Sequence, residues 1–228
     1  MKNGRSELAA SIATPEIDGR APTAPMVSIV GLGRRFGGRE VVARLDLAVE
    51  AGERIALWGP NGSGKTTVLR CVAGSLTPTH GAIAVGGHPA GSLAARRIVG
   101  SSFSQERSFY LRLSGRNNLL FYARLRQASE QEAQWAVDAL ESELELEPIL
   151  KTRADACSAG MLQQLALARA LLGDPGVVLL DEPTRSLDQE AVERLWTALE
   201  RRTETTVLLA THHSDDVDRC NRRIELPT

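Results

Sequence analysis

The sequence predicts an α/β fold built around a mainly parallel sheet, and three observations predict it. Arg54–Trp58 is a short apolar run that leads into the glycine-rich segment Gly59-Pro60-Asn61-Gly62-Ser63-Gly64-Lys65-Thr66, with the helix-like run Thr66–Ala73 behind it. Val177–Asp181 is apolar throughout until it ends in an acid. Thr205–Ala210 reads as a further core strand. Continuous apolar runs of this length suit strands that are buried on both faces. At 228 residues the chain can bury a substantial core, as one large domain or a domain with a lobe.

Residues 1–25 hold Gly, Ser, Thr and three prolines with little periodicity, and they read as a flexible tail. The tail lacks the apolar region of a secretory signal. From Met26 to Glu50, short apolar runs broken by Gly31, Gly33, Gly37 and Gly38 suggest antiparallel strands. Gly81–Val85 adds another strand, and Arg97-Ile98-Val99-Gly100 leads into Ser101-Ser102-Phe103-Ser104-Gln105. Leu119–Arg126 and Glu130–Leu140 look helical, with Ala133, Val137 and Leu140 on one stripe. Glu141–Glu147 alternates Glu with Ser or Leu; the alternation is strand-like, but four glutamates so close read as a solvated face or linker. Met161–Leu172 is strongly helical, and Gly173-Asp174-Pro175-Gly176 stops it. A helix over about Glu190–Arg201 precedes the strand Thr205–Ala210.

The segment Gly59–Thr66 fits G-x-x-x-x-G-K-[ST] in full, between a strand and a helix as that motif requires. Its glycines let successive N–H groups turn inward into an anion-binding nest. The following helix aims its positive end at the same phosphates. Lys65 adds a charge for the β- and γ-phosphates, and the Thr66 hydroxyl suits Mg²⁺. Asp181 would hold Mg²⁺ through its water shell. Glu182 follows at once, so strand alternation points its side chain the other way, where it could polarise a water for in-line attack. Two adjacent acids at a buried strand end are costly without a cation beside them.

These motifs and the ones that follow resemble, in order and spacing, the nucleotide-binding subunit of an ABC transporter, from about Val27 to about Leu226. Phe36 stands where that family places an aromatic that stacks on adenine. Gln105 resembles the Q-loop glutamine, Cys157-Ser158-Ala159-Gly160-Met161 the signature, Arg185-Ser186-Leu187-Asp188 the D-loop, and Thr211-His212 the switch histidine. Each has an ordinary alternative: a packing aromatic, a loop amide, a satisfied core histidine. His80, His88 and His213 read as surface residues.

The resemblance implies the ABC ATPase fold: a P-loop NTPase with a mainly parallel core sheet, an antiparallel β lobe and a helical subdomain at about 106–160, all within residues 26–228. It implies ATP and Mg²⁺ as ligands. Phe36, the loop Gly59–Thr66, Thr67, Gln105 and Asp181 would bind the subunit's own nucleotide, with Thr66, Gln105 and Asp181 toward the metal. Ser158 and Gly160 would face the nucleotide of a second subunit, and Asp188 would lie at that interface. Glu182, His212 and Lys65 would carry hydrolysis. The implied partners are a second nucleotide-binding subunit, in a homodimer, and a transmembrane permease on another chain, with the chain peripheral at the cytoplasmic face of the membrane. The mixed aromatic and basic stretch Arg107–Asn118 would form part of the permease docking groove, and its arginines lean toward export.

The signature departs from the family pattern at Cys157 and Met161, and Leu162-Gln163-Gln164 lacks the basic residues common there. Dimer closure is therefore expected to be weaker, or to depend more on the partner. A soluble ABC-type ATPase of translation, repair or regulation is the second reading. Net charge is −1, which gives no bulk attraction to nucleic acid. Hydrophobic residues make up 43% and charged residues 24%, with no apolar run near the roughly 20 residues that span a bilayer. Cys71, Cys157 and Cys220 match neither a zinc pattern nor a disulfide framework, and a reducing compartment fits them.

Overall fold

The structure, a computed structural model, describes residues 24–104, 108–126 and 129–226. The expected tail, apart from residues 24 and 25, and Gln105 lie outside the described residues. β1 (Val27–Phe36) and β2 (Arg39–Val49) form a hairpin turned at Gly37-Gly38. β3 (Arg54–Trp58) runs into the glycine-rich loop, and α1 (Lys65–Val72) leaves it. β4 (His80–Val85) and β5 (His88–Pro89) complete an antiparallel sheet of order β2-β1-β4-β5. α2 (Leu93–Ile98) and β6 (Val99–Ser102) follow. Then come α3 (Gly115–Arg126), α4 (Glu130–Leu144) and α5 (Glu147–Lys151), which make a helical lobe. α6 (Ala159–Leu171) leads to β7 (Val177–Asp181), α7 (Gln189–Arg201), β8 (Thr206–Thr211), α8 (Ser214–Asp218) and β9 (Arg222–Glu225). β6, β7, β8, β3 and β9 form a parallel sheet in that order.

Every residue of β7 and β8 is buried, as their unbroken apolar runs require. Successive residues face opposite cores. Val178, Leu180, Val207 and Leu209 pack with α6, α7 and the helical lobe. Val177, Leu179, Leu208 and Ala210 pack with α1 and the antiparallel sheet. The central strands thus weld the two cores into one body.

The segment Glu141–Glu147 differs from its expected role. Leu140 and Leu144 continue the apolar stripe of α4, which therefore runs one turn past Leu140. Glu145 ends the helix in a left-handed conformation (φ 54°), and this turn lets Leu146 be buried as well. All four glutamates carry ion pairs, Glu147 with Lys151 on its own helix and the other three with arginines of other helices. Glu141 accepts from Arg116 at 2.8 Å, Glu145 from Arg194 at 3.2 Å, and Glu143 from both terminal nitrogens of Arg202 at 2.7 and 2.8 Å. The Glu143–Arg202 pair ties α4 to the end of α7. Its side chains are only 17% and 15% exposed, so water screens it less than an ordinary surface pair. Its hydrogen bonds to Glu143 raise the Arg202 pKa.

Arg116, expected in a docking groove, instead pairs with Asp138 and Glu141 across the α3–α4 seam. The loop before α3 is held by Asn118, which is fully buried. Its side-chain oxygen accepts from the Tyr110 N–H at 2.8 Å, and its amide donates to the carbonyls of Tyr110, Leu113 and Ser114.

β6 and α6 approach each other at Gly100. A Cβ there would lie 1.8 Å from the Ala170 carbonyl oxygen. Gly100→Ala is therefore expected to lower stability by about 1–3 kcal/mol through overpacking against rigid backbone. Denaturant unfolding checks this, and an unshifted midpoint would contradict so close an approach.

Candidate nucleotide-binding and catalytic site

The parallel register decides which distant residues meet. Trp58 is paired with Thr211, Asp181 with Ala210, and Ser102 with Leu180. β3, β6, β7 and β8 therefore end level with one another. The residues that follow them converge at the carboxyl edge of the sheet, where ligands of such folds bind. A cavity of about 840 Å³ opens there. Asn61, Gly62, Gly64, Lys65, Thr66 and Thr67 line it, and so do Asp181, Glu182, His212 and His213.

The glycine-rich loop wraps the start of α1. Gly64 is left-handed (φ 93°), and a Cβ on it would come within 2.8 Å of the Val41 carbonyl and of a Val42 methyl. β2 thus presses on the loop, and Val41 joins the cavity wall. Lys65 is 7% exposed, and its Nζ donates to the carbonyls of Gly59 and Pro60 at 2.6 and 3.1 Å. The ammonium is thereby held against the loop whose N–H groups form the nest. Ser63 Oγ is buried and makes no hydrogen bond among the described residues.

Asp181 is 1% exposed. Thr66 Oγ1 lies 2.9 and 3.1 Å from its two carboxylate oxygens, and Ser104 Oγ donates at 2.6 Å. Three oxygen-bearing side chains thus meet at one point. Such an oxygen-only set fits Mg²⁺, which takes one or two carboxylates together with phosphate oxygens. Ser104 was not singled out from sequence; its signal was a hydroxyl next to Gln105 on the run leaving β6.

Glu182 does not continue the strand alternation. Its backbone turns left-handed (φ 51°), while its N–H still donates to the Ala210 carbonyl at 2.8 Å. The turn brings its side chain to the same cavity as Asp181 rather than to the opposite face. His212 Nδ1 lies 2.7 Å from Glu182 Oε2. That contact is close but not aligned as a hydrogen bond, so Oε2 is buried with no donor among the described residues.

A third acid, missed in the sequence, braces the histidine loop. Asp216 is 2% exposed and accepts from Thr184 Oγ1 at 2.8 Å, Thr211 Oγ1 at 2.9 Å and Trp196 Nε1 at 3.3 Å. Thr211 Oγ1 in turn accepts from the His213 N–H at 3.0 Å. The turn after Glu182, the end of β8 and α7 are joined through this one carboxylate. Asp216, one of three aspartates in the polar stretch after His213, gave no periodic signal.

The remaining expected residues lie elsewhere. Ser158 caps α6 by accepting from the Met161 N–H at 3.2 Å. A Cβ on Gly160 would lie 2.7 Å from the Ser186 carbonyl oxygen, so the start of α6 packs on the turn that contains Ser186 (φ 67°). Neither Ser158 nor Gly160 lines the cavity. Asp188 caps α7 through the Ala191 N–H at 2.8 Å. Phe36 ends β1, 44% exposed, with the Arg34 guanidinium 4.4 Å from its ring centre, and it too is off the cavity wall. The Cys157 thiol reaches the Arg153 carbonyl at 3.4 Å, and burial first, then Asp155, push its pKa up. Met161 packs on the core beside the helical lobe. Gln163 donates to the Pro183 carbonyl at 3.1 Å, linking α6 to the turn after Glu182.

Comparison with known proteins agrees with this geometry. The chain is 36% identical over 200 residues to the Nod factor export ATP-binding protein I of Rhizobium johnstonii, covering 86% of this chain and 64% of that protein. It thus spans less than two thirds of that relative's length. It is 31% identical over 205 residues to the ABC transporter ATP-binding protein NatA of Bacillus subtilis, covering 84% of this chain and 81% of that one. A solved dimeric post-hydrolysis state of an ATP-binding cassette bound to ADP and Pi superposes with a TM-score of 0.80 at 25% identity, over 88% of this chain and 94% of that one. The family model described as ABC transporter matches residues 42–185, which take in the glycine-rich loop, the serine-capped helix and the Asp181-Glu182 strand end. On these grounds the chain belongs to the ABC transporter family, as an ATP-binding cassette.

Proposed function

We propose that this chain binds and hydrolyses ATP to power an ABC membrane exporter, peripheral at the cytoplasmic face of the membrane. The observation that carries the proposal is the meeting, in one cavity, of Lys65 and its loop, the Thr66–Asp181–Ser104 oxygen set, and Glu182 with His212 beside its Oε2. The loop N–H groups and Lys65 would take the phosphates. Thr66 and Asp181 would hold Mg²⁺, which when bound supplies charge neutralisation to the phosphate oxygens. Glu182 Oε2 would accept a proton from the attacking water, and His212 beside it would sense the γ-phosphate.

Ser158 and Gly160 are off this chain's own cavity, as expected if they complete the site of a second copy. The resemblance to a dimeric cassette supports that arrangement. Export follows the printed function of the Nod factor relatives, and among the described residues no helix is long and apolar enough to cross a membrane, so the pathway would belong to a permease.

The permease contact is proposed at a second, largely apolar cavity of about 770 Å³ between the loop that precedes α3, α6 and the turn after Glu182. Phe103, Phe109, Leu111 and Leu162 line it. Ser104, Glu182, Arg185 and Ser186 line both this cavity and the first, so movement in one is felt in the other. Leu111 is 60% exposed on the loop braced by Asn118.

Glu182→Gln is expected to reduce ATP hydrolysis by about 10²–10⁴-fold, the range for loss of a general base, while nucleotide binding persists. Steady-state phosphate release together with nucleotide binding tests this, and full activity would remove Glu182 from the role. Leu111→Asp is expected to abolish co-purification with the membrane partner while leaving nucleotide binding intact. Retained assembly would move the docking site elsewhere.

A further inference from the structure

We infer that Glu182, His212 and His213 form a site for a borderline transition-metal cation such as Zn²⁺, distinct in donor chemistry from the Mg²⁺ site, and that its occupation blocks hydrolysis. One carboxylate oxygen and one imidazole nitrogen from each histidine lie within 4.8 Å of one another. The two rings lie side by side, with centres 4.1 Å apart and planes at 36°. His212 Nδ1 is already 2.7 Å from Glu182 Oε2. Zinc bonds of about 2.0–2.1 Å in a tetrahedron space their donors about 3.3 Å apart. The Glu182–His212 pair is at or inside that spacing, and His213, exposed on the surface, needs only a side-chain adjustment to complete it.

A separate observation points to a ligand here. Glu182 Oε2 is buried and has no hydrogen-bond donor among the described residues. A buried carboxylate oxygen without a donor is costly, and a cation removes the cost. The backbone of His213 is fixed by its N–H bond to Thr211 Oγ1, which Asp216 also holds. The third ligand is therefore presented from a braced turn.

Donor type separates the two sites in the cavity. Thr66, Ser104 and Asp181 offer only oxygen, which suits Mg²⁺. Two imidazoles and one carboxylate suit zinc, cobalt or nickel and offer Mg²⁺ little. A metal at the second site would take the lone pair of Glu182 and the ring of His212. It would leave the phosphate loop untouched, so inhibition would not be relieved by more Mg·ATP. The inhibitory half of the inference rests on the hydrolytic reading above; the binding half does not.

The test titrates ZnCl₂ into the full chain without nucleotide, by calorimetry, in a Cys157→Ser, Cys220→Ser background that removes the two half-buried thiols. One-to-one binding is expected. His213→Ala should weaken it by about 100-fold or more, since loss of a partner that merely supports a ligand already costs about 10–100-fold. In parallel, zinc should inhibit ATP hydrolysis at saturating Mg·ATP, a chelator should restore it, and the activity that His213→Ala retains should resist zinc. Equal zinc affinity in the two proteins would overturn the site. Zinc binding lost in His213→Ala but without effect on hydrolysis would overturn the blocking role. A chain that binds zinc as described yet never hydrolyses ATP would count against the hydrolytic reading and leave the metal site standing.

Discussion

Asp181 is almost completely buried, and its carboxylate is bonded by Thr66 and Ser104, which lie 115 and 77 positions earlier in the chain. A carboxylate cannot be kept in that environment without donors or a cation. The end of β7 therefore obliges the glycine-rich loop and the segment after β6 to sit beside it. The parallel register supplies the alignment, and the apolar strands supply the burial energy that holds the register. Glu182, His212 and the Asp216 brace are all positioned relative to this point.

Much of this was legible in the chain. The three apolar runs marked β3, β7 and β8 because strands buried on both faces leave no room for polar residues. The motif Gly59–Thr66 carried its own context, and Asp181 and Glu182 were identified by their place at a strand end. What escaped was what depends on turns and on distant partners. Glu182 was assigned to the wrong face because strand periodicity holds only while the backbone stays extended, and the chain goes left-handed at that residue. Glu141, Glu143 and Glu145 looked solvent-facing because their arginines, Arg116, Arg202 and Arg194, come from other helices. Asp216 and Ser104 belong to no motif, and only the folded chain shows which hydroxyls they meet.

The helical lobe is joined to the sheet body both by packing and by charge. Leucines of α4 and α5 enter the same core as Val178 and Leu180, while Glu143 and Arg202 clamp the outer edge. The apolar cavity beside α6 shares Ser104, Glu182, Arg185 and Ser186 with the nucleotide cavity. A partner seated in one would thus touch the wall of the other without any long relay through the core.

The left-handed backbone at Glu182 reaches beyond the site. Non-glycine residues held at positive φ cost free energy, on the order of 1–3 kcal/mol where strain is stored. Glycine would relieve that cost at this position more cheaply than any other residue. A design procedure that ranked substitutions by conformational comfort would select it, and the sturdier protein would have lost the acid on which the proposed chemistry turns. Thermal robustness and turnover are set against each other at a single residue, so a thermostabilised form of this chain has to gain its stability elsewhere.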